Sequence, residues 1–136
     1  MPNLKNRMIF ISHAWKYNEH YWTIVDWFDD VPNFSWSNCS VPSHDGLSDR
    51  STAGLKRGMT KQIRPAQVVI ILGGMYAAHS DWIEYEISEA ERMDKTIIGV
   101  KPWGQERVPL VVQNASVCPV VGWNRASVVK AVRNYT

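Results

Sequence analysis

The chain has 136 residues and carries 15 Lys plus Arg against 13 Asp plus Glu, a formal net charge of +2. A chain of this length buries roughly two-thirds of its unfolded surface and supports a core without staples, so residues 1–136 read as a single domain. Cys39 and Cys118 are far apart with no C-x-x-C pairing, which excludes a disulfide framework or a Cys-based zinc site and predicts two free thiols in a reducing cytoplasm. The longest apolar run is far short of a membrane span, residues 1–6 lack a signal-peptide core, and interleaved charges leave no basic stripe. The expectation is a cytoplasmic protein that engages neither membrane nor nucleic acid.

Met8, Ile9, Phe10 and Ile11 form a short apolar run that stops at Ser12-His13 and reads as a central buried strand. Tyr21, Ile24, Val25 and Phe28 recur at helical spacing before Asp29-Asp30 and Pro32 halt the pattern. Residues 33–37 can form a second strand, and residues 38–51, crowded with Ser, Pro, Asp and Gly, read as a long loop of the kind that is usually functional or mobile. Leu55, Met59 and Ile63 mark a second helix ending near Pro65.

Residues 68–72 are apolar throughout, as in a strand buried on both faces of a parallel sheet. After Gly73-Gly74-Met75-Tyr76, Ser80 is the expected N-cap of a helix from Asp81 to Met93, with Ile83, Ile87 and Ala90 on its inner stripe. Residues 96–100 read as a fourth strand, residues 108–113 as a short helix, and residues 119–121 as a fifth strand. Asn124 is then expected to cap a last helix bearing Val128, Val129 and Val132. This alternation predicts a flavodoxin-like three-layer α/β sandwich, with a mostly parallel five-stranded sheet and ligands beyond the carboxyl ends of its strands.

Several chemistries lack their signatures. There is no G-x-G-x-x-G, no Walker-type loop and no G-x-S-x-G elbow, and Ser12-His13 stand where a phosphoacceptor receiver would carry acids. The four histidines show no metal-ligand spacing, so no metal site is expected. What remains is Asp81-Trp82-Ile83-Glu84-Tyr85-Glu86-Ile87, which places Trp82 and Glu86 on one helix face, with Glu86 beside the buried stripe and Glu84 pointing to solvent. A carboxylate at the edge of a core beside an indole is a recognisable catalytic environment; the competing reading is an ordinary solvated helix glutamate.

Ile9-Phe10-Ile11-Ser12-His13-Ala14-Trp15, Ser40-Val41-Pro42, Gly73-Gly74-Met75-Tyr76 running into Ser80-x-Trp82-x-x-x-Glu86, residues 102–109 and Gly122-Trp123-Asn124 together resemble the TIR-like domains of bacterial antiphage defence, of the Thoeris ThsB type. The resemblance implies an enzyme that cleaves the nicotinamide N-glycosidic bond of NAD and forms a cyclic ADP-ribose isomer as a second messenger. It implies Glu86 as the catalytic residue and substrate contacts at His13, Trp15, Ser40, Pro42 and Asp45. Tyr76, Trp82 and Trp103 lie on segments that converge at the strand ends and suit stacking on adenine or nicotinamide, with rim or core packing as the alternative use of an indole. NAD is then a substrate and no cofactor is expected. The further expected partners are other copies of the chain, a phage-derived trigger and an effector that reads the nucleotide messenger.

Physical chemistry is compatible with a single carboxylate. Nicotinamide leaves NAD as a neutral amine, so the general acid that ordinary glycosidases need is dispensable. Placing Glu86 early in its helix predicts that the macrodipole keeps it ionised. Two other readings stay open: a TIR-type module without turnover that self-associates or docks a partner through residues 38–51, and a nucleoside-deoxyribosyltransferase-like enzyme with a glutamate on a related fold.

Overall fold

Every side chain of Val68–Leu72 is buried, and this strand supplies the axis of the fold. The computed structural model describes residues 6–12, 18–40, 52–72, 76–101 and 110–136, with side chains described throughout these except at 18–19, 52–55 and 76–82. Within them the order is β1 (Asn6–Ile11), α1 (Asn18–Asp30), β2 (Ser35–Asn38), α2 (Thr52–Ile63), β3 (Val68–Leu72), α3 (Tyr76–Arg92), β4 (Thr96–Val100), α4 (Leu110–Ala115) and α5 (Arg125–Asn134).

The four strands form one sheet in the order β2-β1-β3-β4, and all three pairings are parallel. β1 steps to β2 on one side and the chain then returns to place β3 on the other, so the winding reverses between β1 and β3. In open α/β sheets the crevice beyond the carboxyl ends of the strands at such a reversal is where ligands bind. α1 packs with α5, while α3 packs with α2 and α4, giving helical layers on both sides of the sheet. Tyr21, Ile24, Val25 and Phe28 of α1 are buried as their spacing predicts, and so are Val128, Val129 and Val132 of α5. Asn124 caps α5, its side chain accepting from the Ser127 N–H at 3.0 Å. Cys39 and Cys118 are free thiols. Among the described residues no helix is long and apolar enough to cross a membrane.

The expected fifth strand is reduced to one bridge, Val100 with Val121. Residues 116–121 cover the outer edge of β4 by irregular means: the Ser116 hydroxyl accepts from Gly99 N at 2.9 Å, Val117 N donates to Ile97 O at 2.7 Å, and Val121 N donates to Gly99 O at 2.8 Å. With those edge groups already satisfied, and with Pro119 lacking an N–H, no ladder extends past Val121.

The start of α3 also differs from expectation. The helix begins at Tyr76, so Ser80 lies inside it instead of capping it. Ala77 and Ala78 are the best helix formers, and their propensity outweighs the preference of Ser80 for a cap. At its other end α3 closes with Asp94 in the left-handed region at φ 56°, Lys95 N donating to Ala90 O and Asp94 N to Glu91 O, the paired bonds of a Schellman motif.

Gly99 is where β4 approaches its cover most closely. A Cβ there would lie 3.1 Å from Val112 Cγ1 and 3.3 Å from Val120 Cγ2. Gly99→Val is therefore expected to lower the free energy of unfolding by about 1–3 kcal/mol through overpacking, measured by chemical denaturation.

Candidate active site at the carboxyl edge of the sheet

The site begins with the chain leaving β1. Ser12 directly follows Ile11, and its N–H donates to Ile70 O of β3 at 2.7 Å, so the backbone remains tied to the central strand for one residue beyond β1. Its hydroxyl donates to Glu86 Oε1 at 2.9 Å. Ser12 is 1 % exposed and Glu86 3 %. Together with Ser40 they are the buried polar side chains among the described residues, and Glu86 is the one charged residue in that group.

Glu86 is inside because of helical spacing. Ile83, Glu86, Ile87 and Ala90 occupy i, i+3, i+4 and i+7 on α3, and all four are buried against the sheet. A carboxyl group thus holds a position that the stripe would otherwise fill with an aliphatic side chain. Removing an ionised carboxylate from water costs several kcal/mol unless it is paired, and among the described residues the partner is one neutral hydroxyl.

Desolvation accordingly pushes the Glu86 pKa up to about 8, with the Ser12 hydrogen bond acting in the opposite direction. This overturns the expectation of an ionised group. Because α3 starts at Tyr76, Glu86 is the eleventh of its 17 residues, well past the first turn where the macrodipole would favour negative charge.

Glu89, three residues further along, shows the contrast. Its carboxylate accepts from Arg92 Nε at 2.6 Å and from the Thr60 hydroxyl of α2 at 2.6 Å, and lies 3.1 Å from the Tyr85 hydroxyl. These bonds, Arg92 first and Thr60 next, hold its pKa down to about 2. Glu89 is a tie between helices, whereas Glu86 is a carboxyl group kept largely protonated at neutral pH. The two carboxyl groups have their pKa values driven in opposite directions, which marks Glu86 as the candidate for chemistry. Glu84 is exposed, as its position on the opposite face predicts.

The remaining expected site residues are distributed as follows. Ser40 is fully enclosed, and its hydroxyl accepts from Ile11 N at 3.1 Å and donates to Asn38 Oδ1 at 2.6 Å. It therefore sits one residue behind the Ser12–Glu86 pair, bonded to backbone and to Asn38. Tyr76 and Trp82 lie on α3, with side chains outside the described set. His13, Trp15, Pro42, Asp45 and Trp103 lie outside the described residues. Of the other tryptophans, Trp27, Trp36 and Trp123 pack against the core, Trp27 and Trp123 with ring centroids 4.7 Å apart, and Trp22 is exposed.

Ser12 is the site residue that sequence reasoning passed over as a binding group. The signal was present: a hydroxyl placed directly after an apolar strand falls at the strand's carboxyl end, where this fold collects its ligands.

The family model of the TIR-like domain of the Thoeris protein ThsB matches residues 10–107, a span that holds Ser12, Ser40 and Glu86. The chain belongs to that family. No curated protein sequence matches it significantly. Among solved structures, this ThsB TIR-like domain is similar to the Clostridium botulinum CMP N-glycosidase BcmB, with a TM-score of 0.60 and 16 % sequence identity, covering 95 % of this chain and 100 % of that one. At that identity the likeness is one of fold: a parallel sheet between helical layers is the shared architecture.

Proposed function

We propose that this ThsB TIR-like domain breaks the N-glycosidic bond between nicotinamide and ribose in NAD, with Glu86 as the catalytic carboxylate. We propose further that the ribosyl cation is captured within the same molecule to give a cyclic ADP-ribose isomer, the messenger of an antiphage response. The observation that carries this reading is the enclosed Ser12–Glu86 pair at the point where the sheet's winding reverses. Membership of the ThsB family supports it, and so does likeness of fold to BcmB, a CMP N-glycosidase.

The chemistry follows from charge. As the C1′–N bond breaks, nicotinamide departs with the bonding electron pair as a neutral base, and positive charge shifts from the pyridinium to the ribose. A carboxylate held in a dry setting stabilises that developing charge far better than it would in water. The substrate's own cationic ring favours ionisation of the buried Glu86, so binding and activation are coupled. Capture by a nitrogen of the adenine, or by a hydroxyl that gives up its proton, closes the ring; capture by water gives ADP-ribose. Enclosure decides between them, because ring closure depends on excluding water and holding both ends of the dinucleotide together. His13, Trp15, Pro42, Asp45, Tyr76, Trp82 and Trp103 are the proposed substrate contacts, and the proposed active form is an assembly of several copies responding to an infection-derived trigger.

A second reading, cleavage of a nucleoside monophosphate such as CMP, is favoured by the protonated state of the free Glu86. A departing pyrimidine needs a proton that a neutral carboxyl group can supply. Chromatography of incubations with NAD and with CMP separates the readings, using protein from both uninfected and phage-challenged cells. Nicotinamide release from NAD with CMP left intact is the expected result. Cytosine release with NAD intact would transfer the assignment to the second reading, and release of neither base would support the partner-binding module.

A further inference from the structure

We propose that Tyr21, Asn38 and Ser40 form a positioning set that fixes the end of β1 and so aims the Ser12 hydroxyl at Glu86. The inference rests on the assignment of Glu86 above but is read out independently of turnover.

The pairing of β1 with β2 runs from Asn6–Ser35 to Ile9–Asn38, and Cys39 N donates to Ile9 O at 2.8 Å. Beyond that point the backbone partner is gone, and the buried N–H of Ile11 would be left without an acceptor. The Ser40 side chain takes its place, accepting from Ile11 N at 3.1 Å. On the other side of β1, Ser12 N is held by Ile70 O at 2.7 Å. The end of the strand is thus gripped from both neighbours, once by a side chain and once by backbone, and the residue so gripped carries the hydroxyl that meets Glu86.

Ser40 is in turn locked. Its single hydroxyl proton goes to Asn38 Oδ1 at 2.6 Å, and the same oxygen accepts from Ser40 N at 2.9 Å. The Asn38 amide donates to the Tyr21 hydroxyl at 2.7 Å, and that hydroxyl donates to Ser40 O at 3.2 Å. The ring of bonds closes on itself, with Tyr21 1 % exposed and Ser40 fully buried. Each group's direction is set by the others, and buried networks of this kind rigidify what they touch when every member is satisfied. Tightening the network toward the sheet's carboxyl edge serves a particular need. One hydroxyl bond to a buried carboxyl group is sensitive to angle, and it weakens steeply when the donor is misdirected. On the same helix Tyr85 and Glu89 are turned toward Thr60 and Lys56 of α2 and Glu84 is exposed, and among the described residues Ser12 is the donor bonded to Glu86.

The test follows the ionisation of Glu86 directly, by pH titration of its carboxyl infrared band in carbon-13 glutamate-labelled protein, assigned by its disappearance in Glu86→Gln. Ser12→Ala, which removes the donor itself, is expected to move the midpoint upward by about one pH unit. Ser40→Ala should move it in the same direction although it touches neither Ser12 nor Glu86 side chains, and Ser40→Thr should restore the wild-type midpoint. Tyr21→Phe, which deletes one member of the ring while keeping its bulk, should give a smaller upward shift and serves where Ser40→Ala fails to fold. A folded Ser40→Ala or Tyr21→Phe protein with an unmoved midpoint, alongside a moved one in Ser12→Ala, would overturn the proposal by reducing the ring to local stability. Failure of the NAD reading would show itself differently, as absent nicotinamide release with these midpoints still shifting.

Discussion

Glu86→Gln is expected to lower nicotinamide release from NAD by on the order of 10³-fold, with most of the loss in kcat. Glutamine keeps the shape of the side chain and can still meet the Ser12 hydroxyl, so the protein should fold with its site intact. What it lacks is negative charge at the moment the ribose becomes cationic, an interaction that is stronger in the transition state than in the bound substrate and therefore appears in kcat. The same assignment fixes a pH profile. Catalysis requires the ionised group, and burial places its pKa in the free protein at about 8. The value of kcat/KM should then rise roughly tenfold per pH unit through the acid and neutral range and level off near pH 8. Equal turnover by wild type and variant would remove Glu86 from the mechanism. A profile already flat at about pH 6 would instead show that the free group is ionised and that its enclosure has no functional consequence.

The parts of this molecule legible in the sequence are those in which one local signal decides the outcome. Val68–Leu72 and Thr96–Val100 fall where their apolar runs place them, and the Asn124 cap is found as expected, because runs of branched residues and capping side chains act within a few residues. Elements set by competition were harder to read. Whether Ser80 caps a helix or lies within it depends on Ala77 and Ala78 upstream, and moving the start of α3 to Tyr76 carries Glu86 from an early position into mid-helix. Burial within the stripe then sets the charge state of the carboxyl group, with no helix end close enough to offset it. The stripe Ile83, Ile87, Ala90 was plain, yet its fourth member is Glu86 itself, and only the fold shows a carboxyl group occupying an aliphatic position. The fifth strand failed for a non-local reason: hydrogen bonds from residues 116–117 had already closed much of the edge of β4. The family resemblance implies a substrate contact at Ser40, whereas the fold gives its hydroxyl to Ile11 N and Asn38, a tertiary partnership that no spacing along the chain encodes.

Relative to Glu86→Gln, the wild-type protein is expected to lose stability as pH rises from about 5 to 8, by roughly 1.4 kcal/mol for each unit and a few kcal/mol in all. The sign comes from which state holds the proton. Below the ordinary glutamate pKa of 4.5 both folded and unfolded chains carry a neutral carboxyl group, and the enclosure has little consequence. Above it the unfolded chain ionises freely while the folded one retains its proton up to about pH 8, so each step in pH favours unfolding. Past that point the folded protein holds a buried charge, and the penalty stays constant. The glutamine variant has no proton to exchange at this position and shows none of this slope. Glu89 titrates in the opposite sense and in a separate window: its pKa is lowered to about 2, so its contribution is present above pH 4.5 and fades only in stronger acid. Denaturant unfolding of both proteins at several pH values isolates the Glu86 effect, and parallel stability curves between about pH 5 and 8 would show that the carboxyl group is solvated. A diverging pair would establish that the folded chain sustains a desolvated acid at its sheet edge at the expense of its own stability, an arrangement that a cationic ligand would relieve and that an apolar residue in the same stripe would never have required.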